Sequence, residues 1–543
     1  MTITVSPYKS NQTPGRDGFI QLLRAEWTKF RTVRGWVIAL IAVAALTALV
    51  PIYLAKAAAG NSVETCVNGS CQAEGQAIAV GPGGTAVTDT FYFVHQPMAG
   101  NGSITVRITA FRGSGSPQLP VGLALAPQTE PWAKAGIIIK ESTKPGSAYA
   151  AVLVTGAHGV RMQYNFTHDL AGNATTVSAS SPQWLRLIRS GDLITGYESA
   201  NGMQWTAIGT ADLAGLSSTV QAGLFVASPD FTMAVGNGDN SIGGPTQATA
   251  VFDHVQLQPA SRGQAWTGTQ IGNGSGKGYI IPGSQRNHQV RCCARLQPAH
   301  GFLARDGSIT VRGSGDIAPF TPIVDPLHVT FFGTLFALIA VIALGALFIT
   351  TEYRRGLIRT TVTASPRRGR ILLAKATVIG AVTFVAGLIG AAIAFPVTEH
   401  ELYANGWKPP VWPQLTLTSS TGLQVVLGTA AIAAAAAILG LAAGVIFRRS
   451  AGAVMAVIGV VVAPLILAVA VLPLTAADWL MRISPAAAFS LQQTTPRYSQ
   501  VSNVCAAYHS CFPLAPWHGF GVLCAWAAVG LSAAAYLLRR RDV

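Results

Sequence analysis

The sequence predicts an α-helical polytopic membrane protein of six transmembrane helices, with an all-β domain inserted between the first and second. Two observations carry this reading: six charge-free apolar stretches, and a polar run of roughly 270 residues after the first of them. The stretches cover 36–55, 327–350, 376–397, 423–447, 451–474 and 519–538. A hydrocarbon core about 30 Å thick needs about 20 apolar helical residues, and unsatisfied backbone groups in lipid admit only helices or closed barrels. The first stretch reads as a retained span, because a leader of roughly 35 residues and an apolar length of about 20 both exceed what a cleaved signal peptide uses.

Basic residues orient the spans. Lys9, Arg16, Arg24, Lys29, Arg31 and Arg34 precede the first span, and Arg354, Arg355, Arg359, Arg367, Arg368 and Arg370 follow the second, with Lys375 entering the third. Arg448 and Arg449 join the fourth to the fifth, and Arg539, Arg540 and Arg541 follow the sixth. Only Asp17, Glu26, Glu352 and Asp542 oppose them, so these segments hold nearly all of the chain's net charge of +15. Positive loops stay on the cytoplasmic side. That places both termini and these loops in the cytoplasm of a bacterial plasma membrane, with residues 56–326 outside. The basic excess therefore reports topology, and no nucleic-acid partner is implied.

Cysteine placement agrees. Cys66, Cys71, Cys292 and Cys293 fall in the outer domain, Cys505 and Cys511 in the outer loop before the last span, and Cys524 within that span. An oxidising exterior permits disulfides, and the four domain cysteines allow three pairings that sequence does not choose between. Cross-pairing would tie the two segments that lead back to the membrane. Metal ligation is the weaker alternative, since no CxxC or histidine partner at zinc spacing accompanies them.

Within the outer domain, short β-branched and aromatic runs at 103–110, 135–140, 149–155, 160–166, 184–189, 193–199 and 220–227 alternate with Gly, Pro, Asn and Ser. Strands at this spacing suggest a sandwich. In Trp184-Leu-Arg-Leu-Ile-Arg189, Leu185 and Leu187 face one way while Arg186 and Ile188 face the other, the period of a half-buried strand. The segments PWAKAGIIIKES (131–142), GSAYAAVLVT (146–155), WLRLIRSGDLITGYESANGMQW (184–205) and VQAGLFVAS (220–228) resemble the concanavalin A-like lectin and glucanase family. That resemblance implies two antiparallel sheets in jelly-roll order over a core of about 85–260. The stretch beyond it to about 326 reads as Gly-rich and irregular, and it repeats GSITVR (102–107) at 307–312.

No hydrolase is expected. Glucanases of this fold use paired carboxylates, one to donate a proton and one to attack or steady the sugar. Glu198 has no acidic neighbour at i+2. Trp132, Tyr149, Trp184, Tyr197 and Trp205 are the candidate sugar-stacking residues, against the plainer reading that large aromatics fill the core. GNGSGKG (272–278) has Ile271 at the first glycine position of a phosphate loop and Gly278 at the magnesium-binding Ser/Thr position. His400-Glu-Leu-Tyr-Ala404 lacks the second histidine of a zinc-protease helix. Both read as ordinary sequence.

The basic edges carry the functional signal. Residues 18–34 place Phe19, Leu22, Leu23, Trp27, Phe30 and Val33 at helical spacing among Arg24, Lys29, Arg31 and Arg34, an interfacial amphipathic helix. After the second span comes TEYRRGLIRTTVTASPRRGRILLAK (351–375). Together with LLRAEWTKFRTVRGW before the first span, this loop resembles the permease subunit of an ATP-binding-cassette transporter of the second exporter type. Positive-inside topology alone would not demand Glu352, Gly356 or Pro366. The resemblance implies that the elbow, with Glu26, and the loop residues Glu352, Arg355, Gly356, Arg359, Pro366, Arg367 and Arg370 contact ATPase subunits. The inserted sandwich departs from the family's common plan.

With no complete phosphate-binding loop, this chain is expected to bind no cofactor and to hydrolyse nothing; ATP and magnesium belong to a separate ABC ATPase. The implied assembly has two ATPases and two permeases, as a homodimer or a heterodimer. Membrane lipid and an extracellular glycan are the other expected partners. Gly440 with Gly444, and Gly387 with Gly390, make small-residue faces for close helix packing. The spans as delimited contain no Asp, Glu, Lys or Arg, which disfavours ion coupling and suits an apolar or amphipathic cargo. The rival reading is a non-transporting sensor whose helices anchor a glycan-binding module; the 351–375 loop is what a plain anchor would not need.

Overall fold

The computed structural model describes residues 18–58, 65–67, 70–72, 78–114, 129–235, 240–244, 246–259, 264–272, 300–321, 325–357, 367–501 and 512–540. Arg359, Pro366, Cys292, Cys293, Cys505 and Cys511 lie outside the described residues, as does most of the 272–278 motif.

The apolar stretches are helical apart from breaks at 332–333, 462 and 471–473. The helices are α1 (Phe19–Thr32), α2 (Arg34–Ala58), α3 (Pro326–Phe331), α4 (Thr334–Arg354), α5 (Arg368–Ala404), α6 (Ser420–Phe447), α7 (Ser450–Val461), α8 (Ala463–Ala470), α9 (Leu474–Ile483) and α10 (Pro516–Arg540). Six segments are long and apolar enough to cross a membrane: Arg34–Ala57, Pro326–Arg354, Arg368–Ala404, Ser420–Phe447, Ser450–Ala468 and Pro516–Arg540. The fifth is bent. Pro464 has no amide to donate and crowds the preceding turn, so α7 ends and α8 begins with the proline in its first turn. The third runs 37 residues, well past the 376–397 stretch; at 1.5 Å per residue it is about 55 Å long and overshoots the hydrocarbon at both ends.

The small-residue faces lie where helices touch most closely. A Cβ at Gly440 would stand 2.5 Å from Ile342 O, and one at Gly444 would stand 2.9 Å from Ala346 O, both on α4. Gly345 of α4 returns the contact, its Cβ position 2.1 Å from Ala437 O of α6. Gly387 abuts Ala430 of α6, and Gly390 abuts Ala44 of α2. Without cross-chain hydrophobic driving force in lipid, such backbone proximity is what lets dispersion hold helices together.

The inserted region is all-β. One seven-stranded antiparallel sheet has the order His168–Ala171, Val160–Tyr164, Tyr149–Thr155, Lys134–Lys140, Thr219–Ala227, Phe91–Ala99, Thr267–Ile271. The other has the order Thr206–Asp212, Leu193–Ser199, Gln183–Ser190, Gly102–Ser114, Gln247–Gln258, Ser308–Gly313, Gly301–Arg305. The two pack face to face: Ile104, Val106, Leu185, Leu187 and Ile194 of the second join Val94, Ile137, Ile139 and Val152 of the first in one buried cluster. The alternation expected at 184–189 is present, with Leu185 and Leu187 inward and Ile188 exposed.

The β-core reaches beyond the expected limit near residue 260. Thr267–Ile271, Gly301–Arg305 and Ser308–Gly313 complete the sheets, and their Gly-rich flanks had hidden them. The GSITVR repeat has a structural counterpart, since its two copies lie on opposite sides of Gln247–Gln258. Ile104 and Val106 from one copy, and Ile309 and Val311 from the other, enter the same core.

A small third sheet pairs Ala86–Asp89 with Ile317–Pro319 and so joins the two ends of the domain. Two fully buried lysines of one strand fasten it, Lys140 to Asp89 at 2.8 Å and Lys134 to Asp316 at 2.5 Å. Cross-pairing of the domain cysteines, one of the three pairings left open, would tie the same ends; Cys292 and Cys293 lie outside the described residues, and in the described backbone Cys66 stands opposite Cys71 across a two-stranded ladder.

The β region sits on the helix bundle through its loops. Gln500 Nε2 donates to Phe166 O at 2.9 Å, Ser499 Oγ donates to Asp169 at 3.2 Å, and Ala86 N donates to Pro410 O at 3.1 Å. Asp325, where the chain re-enters the bundle, accepts from the amides of His328, Thr494 and Thr495. The β region therefore occupies one end of the bundle. The other end collects α1, the last turn of α4, the first turns of α5 and the last turn of α10.

Candidate coupling site at the elbow end of the bundle

At that second end four charged side chains from three helices meet. Lys375, one residue before the third apolar stretch, is fully buried, with its Nζ 2.7 Å from Glu26 Oε2 of α1 and 2.6 Å from Glu352 Oε1 of α4. Lys29 closes the ring from the outside, 2.9 Å from Glu26 Oε1 and 3.3 Å from Glu352 Oε1. Two cations face two anions, so the cluster is neutral. Burial lowers the pKa of the Lys29 ammonium, but Glu26 and Glu352 outweigh it and hold the group above the ordinary lysine value. Glu352 Oε2 is buried, with no hydrogen-bond partner among the described residues.

Aromatic rings wall the cluster. The Phe348 ring lies 4.9 Å from Lys375 Nζ. Phe30, almost wholly buried, touches Phe348 edge-on at 5.9 Å and stacks with Trp27 and Trp36 at 6.4 Å each. The pattern predicted from residues 18–34 is what allows this. α1 directs Phe30 and Glu26 into the bundle and leaves Trp27 and Ile20 exposed. Arg448, in a left-handed conformation after α6, lays its guanidinium 5.5 Å from the Tyr353 ring and adds α6 to the joint.

The predicted coupling residues therefore divide. Glu26 and Glu352 are turned inward, where their partner is Lys375. Arg355, Gly356, Arg367 and Arg370 are exposed around the cluster. Gly356 follows the end of α4 as a turn residue with φ of 67° and, among the described residues, no atom within 4 Å of its Cβ position. Lys29 and Lys375 were missed as functional residues and counted only as topological charge. The signal was present: Glu26 and Glu352 are nearly the only acids in the basic segments, and a lysine at the edge of a span at the same depth is their natural partner.

The candidate ligand-binding aromatics also divide. Tyr149 is wholly enclosed against Phe166 and Lys140, and Trp132 stacks on His158 at 3.9 Å, so both are interior. Trp184, Tyr197 and Trp205 share the outer face of the second sheet. Arg186, register partner of Tyr197, lies 3.9 Å from the Trp205 ring, and Arg107, paired with Asp253, lies 5.6 Å from Trp184. Glu198 points inward; its Oε1 accepts from Asn173 N at 2.9 Å and its Oε2 is buried with no partner among the described residues. Burial pushes its carboxyl up, with the Asn173 amide pulling the other way. Among the described residues, no group of three or more His, Cys, Asp or Glu is arranged to hold a metal.

A bundle of six membrane-length helices with an internal charge cluster at the elbow and a β region on the opposite end defines a multi-pass membrane protein. The sequence matches the family of ABC-2 family transporter proteins over residues 22–543, and the chain belongs to that family. It is a permease subunit of an ABC transporter, and this family works with ATPase partners. No curated protein matches. Solved structures with a likeness include scytalido-glutamic peptidase with a transition state analog inhibitor, at 11% identity, TM-score 0.24, over 42% of this chain and 99% of that one. Another is SCP-B, a member of the Eqolisin family of peptidases, in complex with the tripeptide Ala-Ile-His, at 10% identity, TM-score 0.22, over 42% and 98%. A functionally unknown protein from Saccharomyces cerevisiae aligns at 14% identity, TM-score 0.19, over 32% and 76%.

Proposed function

We propose that the elbow end is the cytoplasmic docking platform for the ATPases of an ABC exporter. The observation that supports this is the Lys375 cluster, which joins the elbow, the end of α4 and the start of α5 into one body with Arg355, Gly356, Arg367 and Arg370 exposed on it. A force applied to those arginines reaches three helices at once. In this reading Glu26 and Glu352 position the platform and do not themselves touch the ATPase. Arg359 and Pro366 belong to the same docking loop. Both termini are cytoplasmic and the β region is extracellular, in agreement with the basic residues at one end and the β region at the other. ATP and magnesium are held by the partner, and a second permease copy completes the transporter.

The test is co-expression with an ABC ATPase from the same organism. Arg355→Glu with Arg367→Glu should abolish copurification and ATP-dependent export, while leaving the melting temperature of the permease unchanged. Undiminished copurification of the double variant overturns the docking role.

The β region, which we read as a concanavalin A-like jelly roll, receives cargo or an envelope glycan on the face bearing Trp184, Tyr197 and Trp205. All three rings are half-buried; Trp184 lies against Arg107 and Trp205 against Arg186, so each of these two has one face covered. Trp205→Ala should lower glycan retention without lowering the melting temperature much. A variant that unfolds shows the ring to be structural, and unaltered retention removes it from the site.

A further inference from the structure

The outer face of the second sheet carries cations that the fold itself does not neutralise. Leu185 and Leu187 of Gln183–Ser190 are buried in the core, so Trp184, Arg186 and Ile188 point outward. Arg107 of Gly102–Ser114 is the register partner of Trp184 and shares that face. So do Arg112 of the same strand and Arg312 of Ser308–Gly313, both register partners of Thr249, whose neighbours Ala248 and Ala250 are the buried ones. Among the described strands of this sheet, the outward carboxylates are Asp253 and Asp212. Arg107 grips Asp253 with Nε to Oδ1 at 2.8 Å and Nη2 to Oδ2 at 2.6 Å, and Asp212 lies on the edge strand opposite Leu193. Arg112, Arg186 and Arg312 have no carboxylate partner among the described residues.

Arg186 is held in place. Its guanidinium lies 3.9 Å from the Trp205 ring, its Nε donates to Thr105 Oγ1 at 3.0 Å, and Tyr197 is its neighbour on the next strand. Burial pushes this guanidinium below the ordinary arginine value, and Tyr197 pulls the other way. The rest of its fork is a ready donor set for a phosphate or carboxylate. Further along the face, Arg112 and Arg312 are exposed on either side of Thr249, two strand spacings or about 10 Å apart at the backbone. Thr105, the register partner of Arg186, and Arg112 lie on one strand, so the two basic positions are separated by about 20 Å. A ligand that engages both is a polymer with repeated charges; a single sugar or a free phosphate reaches only one.

This face looks away from the helix bundle. Val87 and Ile317 of the third sheet pack on Ile138, Leu153 and Phe225, outward residues of the first sheet. The contacts to the bundle come from Ala86 of the third sheet and from Phe166 and Asp169 beside the first. The outer face of the second sheet is the opposite side of the sandwich, turned from the headgroups of the membrane that the bundle spans. Its occupant therefore comes from the envelope beyond, and aromatic rings beside guanidinium forks match sugar rings that carry phosphate or carboxylate.

We propose that the glycan is an anionic polysaccharide, with one charged sugar against Arg186, Tyr197 and Trp205 and a second anionic group between Arg112 and Arg312. The inference rests on the glycan reading of this face and narrows it to a charge class. A neutral glycan would leave the three arginines without a counter-charge, whereas an anionic polymer neutralises them and gains by binding at two places along one chain.

The test uses the full chain in non-ionic detergent, with binding measured against phosphomannan, polygalacturonate, neutral mannan and polyglutamate. The better of the two anionic polysaccharides, which also names the anion, should bind about tenfold more tightly than mannan or polyglutamate. Its binding should weaken as salt is raised. Arg112→Gln with Arg312→Gln, both exposed and so removable without unfolding, should weaken it about fivefold. Lys144→Gln, an exposed charge outside this sheet, should leave it unchanged. Mannan binding as tightly as the better anionic polysaccharide overturns the charge class and leaves the glycan reading standing. Equal binding of polyglutamate, or undiminished affinity in the Arg112 and Arg312 double variant, also overturns the proposal. Failure of all three polysaccharides to bind removes the glycan reading together with it.

Discussion

Replacing Lys375 by methionine tests whether the internal charge cluster holds the elbow in place. Lys375 lies 2.7 Å from Glu26 and 2.6 Å from Glu352; at an effective dielectric of about 20, each contact is a Coulomb attraction of about 6 kcal/mol. Desolvation of three buried groups and repulsion between the carboxylates cancel much of that. Removing one partner from a buried pair typically costs about 3–5 kcal/mol, because the other charge is left uncompensated. Lys29, with its side chain 45% exposed, can shift inward and recover part of the loss, so the lower end of that range is expected. The neutral cluster becomes anionic, and α1 should leave the bundle. Trypsin cleavage after Arg24, Arg31 or Arg34 reports that release in the detergent-purified chain. The variant should be cut faster at these sites and should melt lower. Adding Glu352→Gln restores neutrality with one Lys–Glu pair remaining, and it should recover most of the protection. Wild-type protection and melting in Lys375→Met would refute the cluster's role, as would a double variant worse than the single.

Gly440→Leu forces side-chain atoms against Ile342 O, where even a Cβ would stand at 2.5 Å. A loss of about 1–3 kcal/mol from overpacking is expected, read as a lower melting temperature, while Gly459→Ala, with open space around it, should be neutral. Burial raises the Glu198 carboxyl above its unfolded value, so its contribution to stability is complete below the ordinary glutamate value and is lost as pH rises through the folded one. Melting of the β region should therefore decline as pH rises above the ordinary glutamate value, and Glu198→Gln should flatten that decline; equal slopes in the two proteins would show that Glu198 does not contribute.

Much of this architecture was legible in the chain itself. Span number and approximate position follow from apolar length alone, since lipid leaves a polypeptide no alternative to hydrogen-bonded helices. The amphipathic elbow was readable because Phe19, Leu22, Leu23, Trp27, Phe30 and Val33 recur at helical spacing, and the strand at 184–189 because its alternation is strict. Gly440 and Gly444 were recognisable as a contact face, although their partner on α4 was not. Strands beyond residue 260 escaped notice because what makes them strands is a neighbour distant in sequence: Ser308–Gly313 pairs with Gln247–Gln258, and short Gly-flanked runs carry little local signal.

Tertiary structure decided which residues of one chemical type do different work. Glu26, Glu352, Arg355 and Arg370 look alike along the chain as charges at the edge of a membrane. Folding brings Lys375 between the first two, hundreds of residues apart in one case, and leaves the arginines outside. Likewise Tyr149 and Trp205 are both aromatic residues on or beside strands, yet one is enclosed by Phe166 and Lys140 while the other stands on an outer face against Arg186. The physical reason is common to both cases. Composition and periodicity determine how much surface each element must bury and on which side, whereas the identity of the covering group depends on long-range register and helix contact, which no local pattern encodes.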